Sequence, residues 1–165
     1  MPYKFDSEEM LDYILGIMQD DDVLNNKIAA VEAEKEDAGK GLSPTLAPIA
    51  EYHLQTWNDK ILQRTPAIFY GIEDVTAVDG MGAVAKTYKC FIEVVIVDNN
   101  QTNDGHKRIS RYSRSLEELF TSNFKPEGAM GAVKVESVRP ISFKLEMNTD
   151  EEIRVGGISL TISLF

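Results

Sequence analysis

The stretch that decides the fold runs from residue 90 to residue 97 and reads Cys-Phe-Ile-Glu-Val-Val-Ile-Val. It is apolar at nearly every position and rich in β-branched residues, the composition of a strand buried on both faces. The eight residues that follow, 98–105, read Asp-Asn-Asn-Gln-Thr-Asn-Asp-Gly and have the composition of a loop. We therefore expect a central strand that ends abruptly in a polar loop.

A helix is predicted from His106 onward. On a helical wheel its apolar residues fall within about 100° of one another, the width of a stripe that faces a core. These residues are Ile109, Tyr112, Leu116, Leu119 and Phe120. Lys107, Arg111 and Arg114 fall on the opposite face, where we expect solvent. A buried strand followed by such a helix predicts a sheet with helices packed on it.

Two more helices are predicted near the start of the chain. Asp6 or Ser7 caps the first, and Asp6-x-x-Glu9 has the spacing of a capping box. Asp20-Asp21-Asp22 interrupts the pattern without the alternate spacing of a calcium loop, so no metal site is predicted. We expect Asp22 to cap the second helix, Val23 to about Lys35.

The middle of the chain is less regular until a hairpin begins. Ala38 to Pro48 is predicted as a loop, and Pro48 to Thr65 as either a short helix or an irregular segment. Ala67–Val78 and Val84–Val97 are then predicted to form a long hairpin around the turn Asp79-Gly80-Met81-Gly82-Ala83.

Three strands are predicted to close the chain: Ala132–Val138, a strand with clean alternation over 141–147, and Ile153–Phe165. In the last strand the apolar residues switch from odd to even positions across Gly156-Gly157. A one-residue phase shift turns a strand over, so this switch predicts a β-bulge.

In this order the elements predict an α+β domain with a mainly antiparallel sheet of about five strands, helices packed on one side and a long hairpin. The length of 165 residues fits one domain, with a helical part over about 6–63 and a sheet-plus-helix part over about 66–165. The single cysteine, Cys90, is predicted to be a reduced core residue. The sequence has no apolar run long enough for a membrane span and no signal-peptide pattern, so we expect the protein in a cytoplasm or an assembly built there.

The charge balance argues against sequence-independent binding of nucleic acid. Asp plus Glu is 27 and Lys plus Arg is 17, a net charge of −10, whereas such binding requires an excess of basic side chains. Lys107, Arg108, Arg111 and Arg114 make one candidate for a local basic face. The spacing of Arg114 and Glu118 favours pairing within the helix instead.

No catalytic, metal or cofactor site is predicted. His53 and His106 stand in polar contexts without a nucleophile, and the metal-binding spacing of Cys and His is missing. Gly80-x-Gly82 lies between two strands and lacks the spacing of a phosphate loop. We therefore expect a protein that is not an enzyme.

The layout resembles the tail terminator proteins of tailed bacteriophages, also called neck or tail-completion proteins. The resemblance is carried by loose sequence features in the same order along the chain. They are Leu24-x-x-Lys27-Ile28, Glu32-x-Glu34-Lys35, Pro66-Ala67-Ile68-Phe69, Arg111-Tyr112-x-Arg114-x-Leu116-Glu117 and the strand with Gly156-Gly157. The segment from Ala38 to Thr65 has no counterpart in this resemblance.

The resemblance implies a structural protein of the virion tail or neck, assembled in the host cytoplasm. Such proteins form a ring, commonly six-fold, that caps the tail tube and joins it to the head-side connector. The partners implied are copies of the same chain, the tube protein, the connector proteins and DNA passing through the lumen without specific binding. No cofactor and no membrane is implied.

An unpaired strand edge can form backbone hydrogen bonds with a strand of a neighbouring subunit. We chose the candidate interface residues on this basis. We expect the hairpin, the basic helix face and the last strand to form the subunit interface. The candidate residues are Asp79, Gly80, Met81, Gly82, Arg111, Arg114, Gly156 and Gly157. Two alternatives stay open: another head–tail connector protein, such as an adaptor or stopper, and a non-viral binding module or small enzyme, which a deep pocket around His53 or His106 would favour.

Overall fold

A computed structural model describes residues 6–55, 64–80, 83–99, 104–123, 131–139, 145–146 and 151–164. Within these ranges the chain forms three α-helices and six strands. The helices are α1 (Ser7–Gln19), α2 (Val23–Asp37) and α3 (Gly105–Asn123), with a 3-10 turn at Asp20–Asp22. The strands are β1 (Glu51–Leu54), β2 (Ala67–Gly80), β3 (Ala83–Asn99), β4 (Gly131–Arg139), β5 (Leu145–Glu146) and β6 (Glu151–Leu164).

The six strands form one mixed sheet in the order β1-β2-β3-β6-β4, with β5 also paired to β6. The α+β class with helices on one side is confirmed, but the sheet of about five mainly antiparallel strands is matched only in part. Residues 51–54, predicted as helical or irregular, form β1 and pair in parallel with the start of β2. This strand is held by its neighbour in the sheet, and such nonlocal pairing overrides a weak local pattern.

The main core lies between the sheet and the three helices. The predicted stripe of α3 is buried there, from Ile109 to Phe120, together with Met10, Ile14 and Met18 of α1. The predicted central strand is central: β3 pairs with β2 on one side and β6 on the other, and its Val94 and Val95 are both fully buried.

A second, smaller core lies on the sheet face away from the helices, and it explains the change of phase in β6. Ile158, Leu160 and Ile162 face the helices, whereas Ile153 and Val155 belong to the other core. Its remaining members are Ala67, Phe69 and Val95. The ladder between β3 and β6 runs one to one from Lys86↔Leu164 to Asn99↔Glu151, so the predicted bulge at Gly156-Gly157 is wrong. Each half of β6 buries its apolar side chains against a different face.

The long hairpin consists of β2 and β3, which pair from Gly80↔Ala83 back to Ala67↔Val95. A register shift between Ile72 and Asp74 leaves one extra residue in β2. Met81 and Gly82, at the predicted turn, lie outside the described residues, as does most of the strand predicted over 141–147.

The two N-terminal helices begin in different ways. The Asp6 carboxylate accepts hydrogen bonds from the amides of Glu8 and Glu9, and Glu9 accepts one from the Asp6 amide, so the predicted capping box is present. Asp22 does not cap α2 as predicted. Its backbone is left-handed, with a φ of 55°, and its carboxylate accepts from the Asn25 side chain instead of from backbone amides.

Candidate functional site

Arg111 is buried where α3 packs against α2, and this placement corrects the prediction that it faces solvent. Its exposed fraction is 6%. One terminal nitrogen donates to Glu32 on α2, and the other donates to the carbonyl oxygen of Lys40. The helical wheel predicts burial only for apolar residues. It therefore missed Arg111, which lies on a second face of α3 that packs against α2.

Arg114, one turn further along α3, is paired at the edge of the same interface. Its Nε donates to Glu118 at 2.7 Å, and its two terminal nitrogens donate to Glu34 on α2 at 3.1 and 2.7 Å. Lys27 Nζ lies 3.0 Å from the other oxygen of Glu118. The predicted pairing of Arg114 with Glu118 is confirmed, and hydrogen bonds from Arg114 lower the pKa of both carboxyl groups.

The loop between α2 and β1 is fixed to the two helices by side chains. Glu32, besides its ion pair, accepts from the Leu46 amide at 3.2 Å, and Asn25 accepts from the Ile49 amide at 2.8 Å. From α3, the Tyr112 hydroxyl donates to the Ala47 carbonyl at 2.7 Å. These bonds give a segment without regular structure a defined path across the helices and into β1.

A groove of about 820 Å³ opens where the C-terminal end of α2, the loop after it and the N-terminal end of α3 meet. Five of its lining side chains are basic and one is a carboxylate. The ionisable residues among them are Lys35, Lys40, Asp104, His106, Lys107, Arg111 and Arg114. Lys107 lies 3.4 Å from Asp104, whereas Lys35 and Lys40 form no ion pair with any of the described residues.

The other predicted interface residues lie in two different environments. Asp79 and Gly80 end β2 at the hairpin, while Gly156 and Gly157 are buried in β6, inside the sheet. Gly157 pairs with β3 and β4, has a φ of +148°, and leaves no room for a Cβ beside the carbonyl of Ile92. Gly157 is therefore needed for close packing of the protomer itself, and Gly156 is buried beside it.

The sheet ends at two edges that have no strand partner among the described residues. β1 covers β2 only from Ala67 to Tyr70, so the outer edge of residues 71–80 is open, and Val75 on it is 40% exposed. At the other end, β4 pairs only with β6 within the part of the chain described. Sequence reasoning had placed the last strand at the interface, but β6 lies inside the sheet and the edge strand is β4.

The two histidines have separate settings. His53 of β1 lies 3.0 Å from Glu51 and stacks on Phe69, with ring centroids 4.8 Å apart, which is a structural role. His106 is exposed and lines the groove.

No cluster of three or more potential metal ligands occurs in the described ranges, and none of the helices described there has the length and apolar composition to cross a membrane.

The sequence matches no protein-family model, and no curated protein matches it significantly. Function is therefore inferred from the geometry of the protomer.

Proposed function

We propose that this chain is a structural protein of the phage virion, a tail terminator that forms a ring on the tail tube and joins it to the head-side connector. The observation that supports a ring is the pair of open edges on a single sheet. An unpaired edge offers a row of backbone donors and acceptors to a strand of another chain. Two different edges at opposite ends of one sheet make a head-to-tail contact, the kind that closes into rings.

The two edges suit one another in length and direction. The open part of β2 spans residues 71–80, and β4 spans residues 131–139. The pairs β2–β3, β3–β6 and β6–β4 are all antiparallel, so β2 and β4 run in opposite directions. Copies related by rotation about a ring axis would thus bring β4 of one copy antiparallel to β2 of the next, in a continuous sheet.

The proposed interface includes the hairpin, as the sequence predicted, but pairs it with a different strand. Asp79 and Gly80 lie at the end of the open edge, and β4 replaces the last strand as the complementary element. Arg111 and Gly157 serve the protomer's own packing, and Gly156 is buried inside the sheet. Within such a ring, part of the net charge of −10 would line the lumen and repel DNA phosphates, which keeps the passage free of specific binding.

Cross-linking between two variants, each with one introduced cysteine, tests the proposed edge contact. Thr76→Cys in β2 is mixed with variants that carry cysteine at successive positions from 132 to 135 in β4. We expect disulfide-linked dimers only in the mixtures, at alternate β4 positions, because strand side chains alternate between faces. The wild-type chain is the control, since its only thiol, Cys90, is buried.

Mass photometry and negative-stain images of the same proteins test the ring itself. A discrete ring that is lost when residues 79–83 are deleted supports the proposal, and a protein that stays monomeric at tens of micromolar contradicts it. A ring bound at one face to tube protein identifies a terminator. A ring that binds only the head-side connector indicates an adaptor or stopper.

A non-viral binding module is the second candidate function, and one observation favours it. The groove beside His106 has the volume of a small-molecule site. A stable monomer that binds a small molecule in this groove would replace the ring proposal.

A further inference from the structure

We propose that the groove between α2 and α3 binds a compact phosphate-bearing anion, such as a pyrophosphate group or the phosphates of a nucleotide. The inference rests on the groove alone and holds whether or not the protein forms a ring. Its volume of about 820 Å³ lies within the range of sites that bury small ligands.

The charges that line the groove differ in sign from those of the chain as a whole. The lining has five basic side chains and one carboxylate, although the chain carries a net charge of −10. Lys107, Arg111 and Arg114 are already paired with carboxylates, so the excess positive charge comes from the other two basic residues. Lys35 at the end of α2 and Lys40 in the following loop form no ion pair among the described residues, although the charge of Lys35 helps to lower the pKa of the neighbouring Glu34. Their charge is thus available to a ligand.

The arginines on the α3 side are already held in place. Arg111 is fixed by Glu32 and the Lys40 carbonyl, and Arg114 is fixed by Glu34 and Glu118. An anion that contacts them immobilises few additional side chains on binding, which lowers the entropic penalty. α3 also begins at Gly105, between the lining residues Asp104 and His106, and the dipole of a helix N-terminus adds positive potential there.

Size and charge density favour a phosphate group over a long polyanion. A compact anion can stay within the groove, beside the basic lining and away from the rest of the acidic surface. A duplex or an acidic protein segment would extend over the acidic surface and be repelled. Lys35 and Lys40 would bind phosphate oxygens as point charges, because the terminal nitrogens of both arginines already donate to other groups.

Isothermal titration calorimetry with pyrophosphate at low ionic strength tests the proposal. We expect saturable one-to-one binding, and at least tenfold weaker binding in the double variant Lys35→Gln/Lys40→Gln. Lys86→Gln/Lys89→Gln is the matched control, because both lysines lie on β3 outside the lining residues and the double variant removes the same two positive charges. Pyrophosphate affinity should be unchanged in this control, with circular dichroism verifying the fold of each variant.

Two further titrations separate phosphate recognition from other binding. Citrate at equal charge should bind at least tenfold more weakly than pyrophosphate, and ATP should compete with pyrophosphate. Absence of pyrophosphate binding at millimolar concentration overturns the proposal, as does equal affinity in the double variant and the wild type. A short DNA duplex that binds in place of pyrophosphate also overturns it. Mass photometry of the same samples reports the oligomeric state separately, so failure here leaves the ring proposal standing.

Discussion

Arg111 of α3 and Glu32 of α2, which are 79 residues apart in the chain, form an ion pair whose side chains are only 7% and 10% exposed. Each partner also bonds to the loop after α2, Arg111 through the Lys40 carbonyl and Glu32 through the Leu46 amide. This single pair therefore joins two helices and the loop that leads into β1.

Breaking this pair should destabilise the fold strongly. Glu32→Gln leaves the buried guanidinium without a counter-ion, which we expect to lower the free energy of unfolding by about 3–5 kcal/mol. Urea denaturation followed by circular dichroism measures the change. The control is Arg114→Gln, since Arg114 forms a partly exposed pair, for which about 1 kcal/mol or less is expected. Equal losses in the two variants would contradict a special role for the buried pair.

Gly157 should tolerate no side chain. Its φ of +148° disfavours L-residues, and a Cβ would overlap the backbone of Ile92 and Glu93 in β3. Gly157→Ala should therefore reduce the free energy of unfolding by about 3 kcal/mol or more, from backbone strain and overpacking together. Gly39→Ala is the matched control: its φ is +72° but the space beside it is open, so only about 1–2 kcal/mol of strain is expected. Comparable losses at the two positions would show that the contact with β3 is unimportant.

Tyr88 offers a substitution that should stabilise the protein. Its side chain is fully buried, and its hydroxyl has no hydrogen-bond partner within the described structure. Burial is also the main cause that raises the pKa of this phenol. Removing the hydroxyl with Tyr88→Phe should raise the free energy of unfolding by about 1 kcal/mol, because a buried unpaired polar group is costly.

The contrasting substitution is Tyr112→Phe. The Tyr112 hydroxyl donates to the Ala47 carbonyl, and its loss should destabilise the protein by about 1 kcal/mol. Thermal unfolding measures the Tm of both variants. If hydrogen bonding of the hydroxyl determines stability, Tm should rise for Tyr88→Phe and fall for Tyr112→Phe. Two shifts of the same sign would contradict this explanation.

Local patterns in the sequence were enough to predict several elements. The capping box at Asp6 involves residues three apart, and the apolar stripe of α3 repeats at helical spacing, so both can be read without knowing the fold. The burial of β3 on both faces follows from its continuous apolar run.

Features that depend on distant residues were predicted incorrectly. β1 exists because Glu51–Leu54 pairs with Ala67–Tyr70, and Arg111 is buried because Glu32 lies opposite on α2. The change of phase in β6 can arise from a bulge or from a second core on the other face of the sheet. Only the packing of Phe69 and Val95 against this part of β6 shows that a second core is present. The basic groove was missed for the same reason, since the lysines at 35 and 40 come from one segment and the arginines from another.

The exposed ion pairs of Arg114 should make part of the stability dependent on pH. Hydrogen bonds from Arg114 are the largest cause lowering the pKa of Glu34 and of Glu118 below the ordinary value of 4.5. A carboxyl group with a lowered pKa in the folded state contributes stability above its unfolded pKa and loses it as the pH falls through its folded pKa. The contribution is thus present at neutral pH and is lost on acidification below about pH 4.5.

Glu118→Gln removes the carboxylate that pairs with both Arg114 and Lys27, so the slope of stability against pH below 4.5 should become shallower. Unfolding in urea at a series of pH values between 3 and 7 measures this slope. Glu36→Gln is the matched control, because it changes the net charge equally at an exposed position outside the described ion pairs. Since surface pairs are screened by salt, the difference between the two variants should shrink in 1 M sodium chloride. Identical pH profiles for both variants at low salt would show that the Arg114 pairs do not contribute to acid stability.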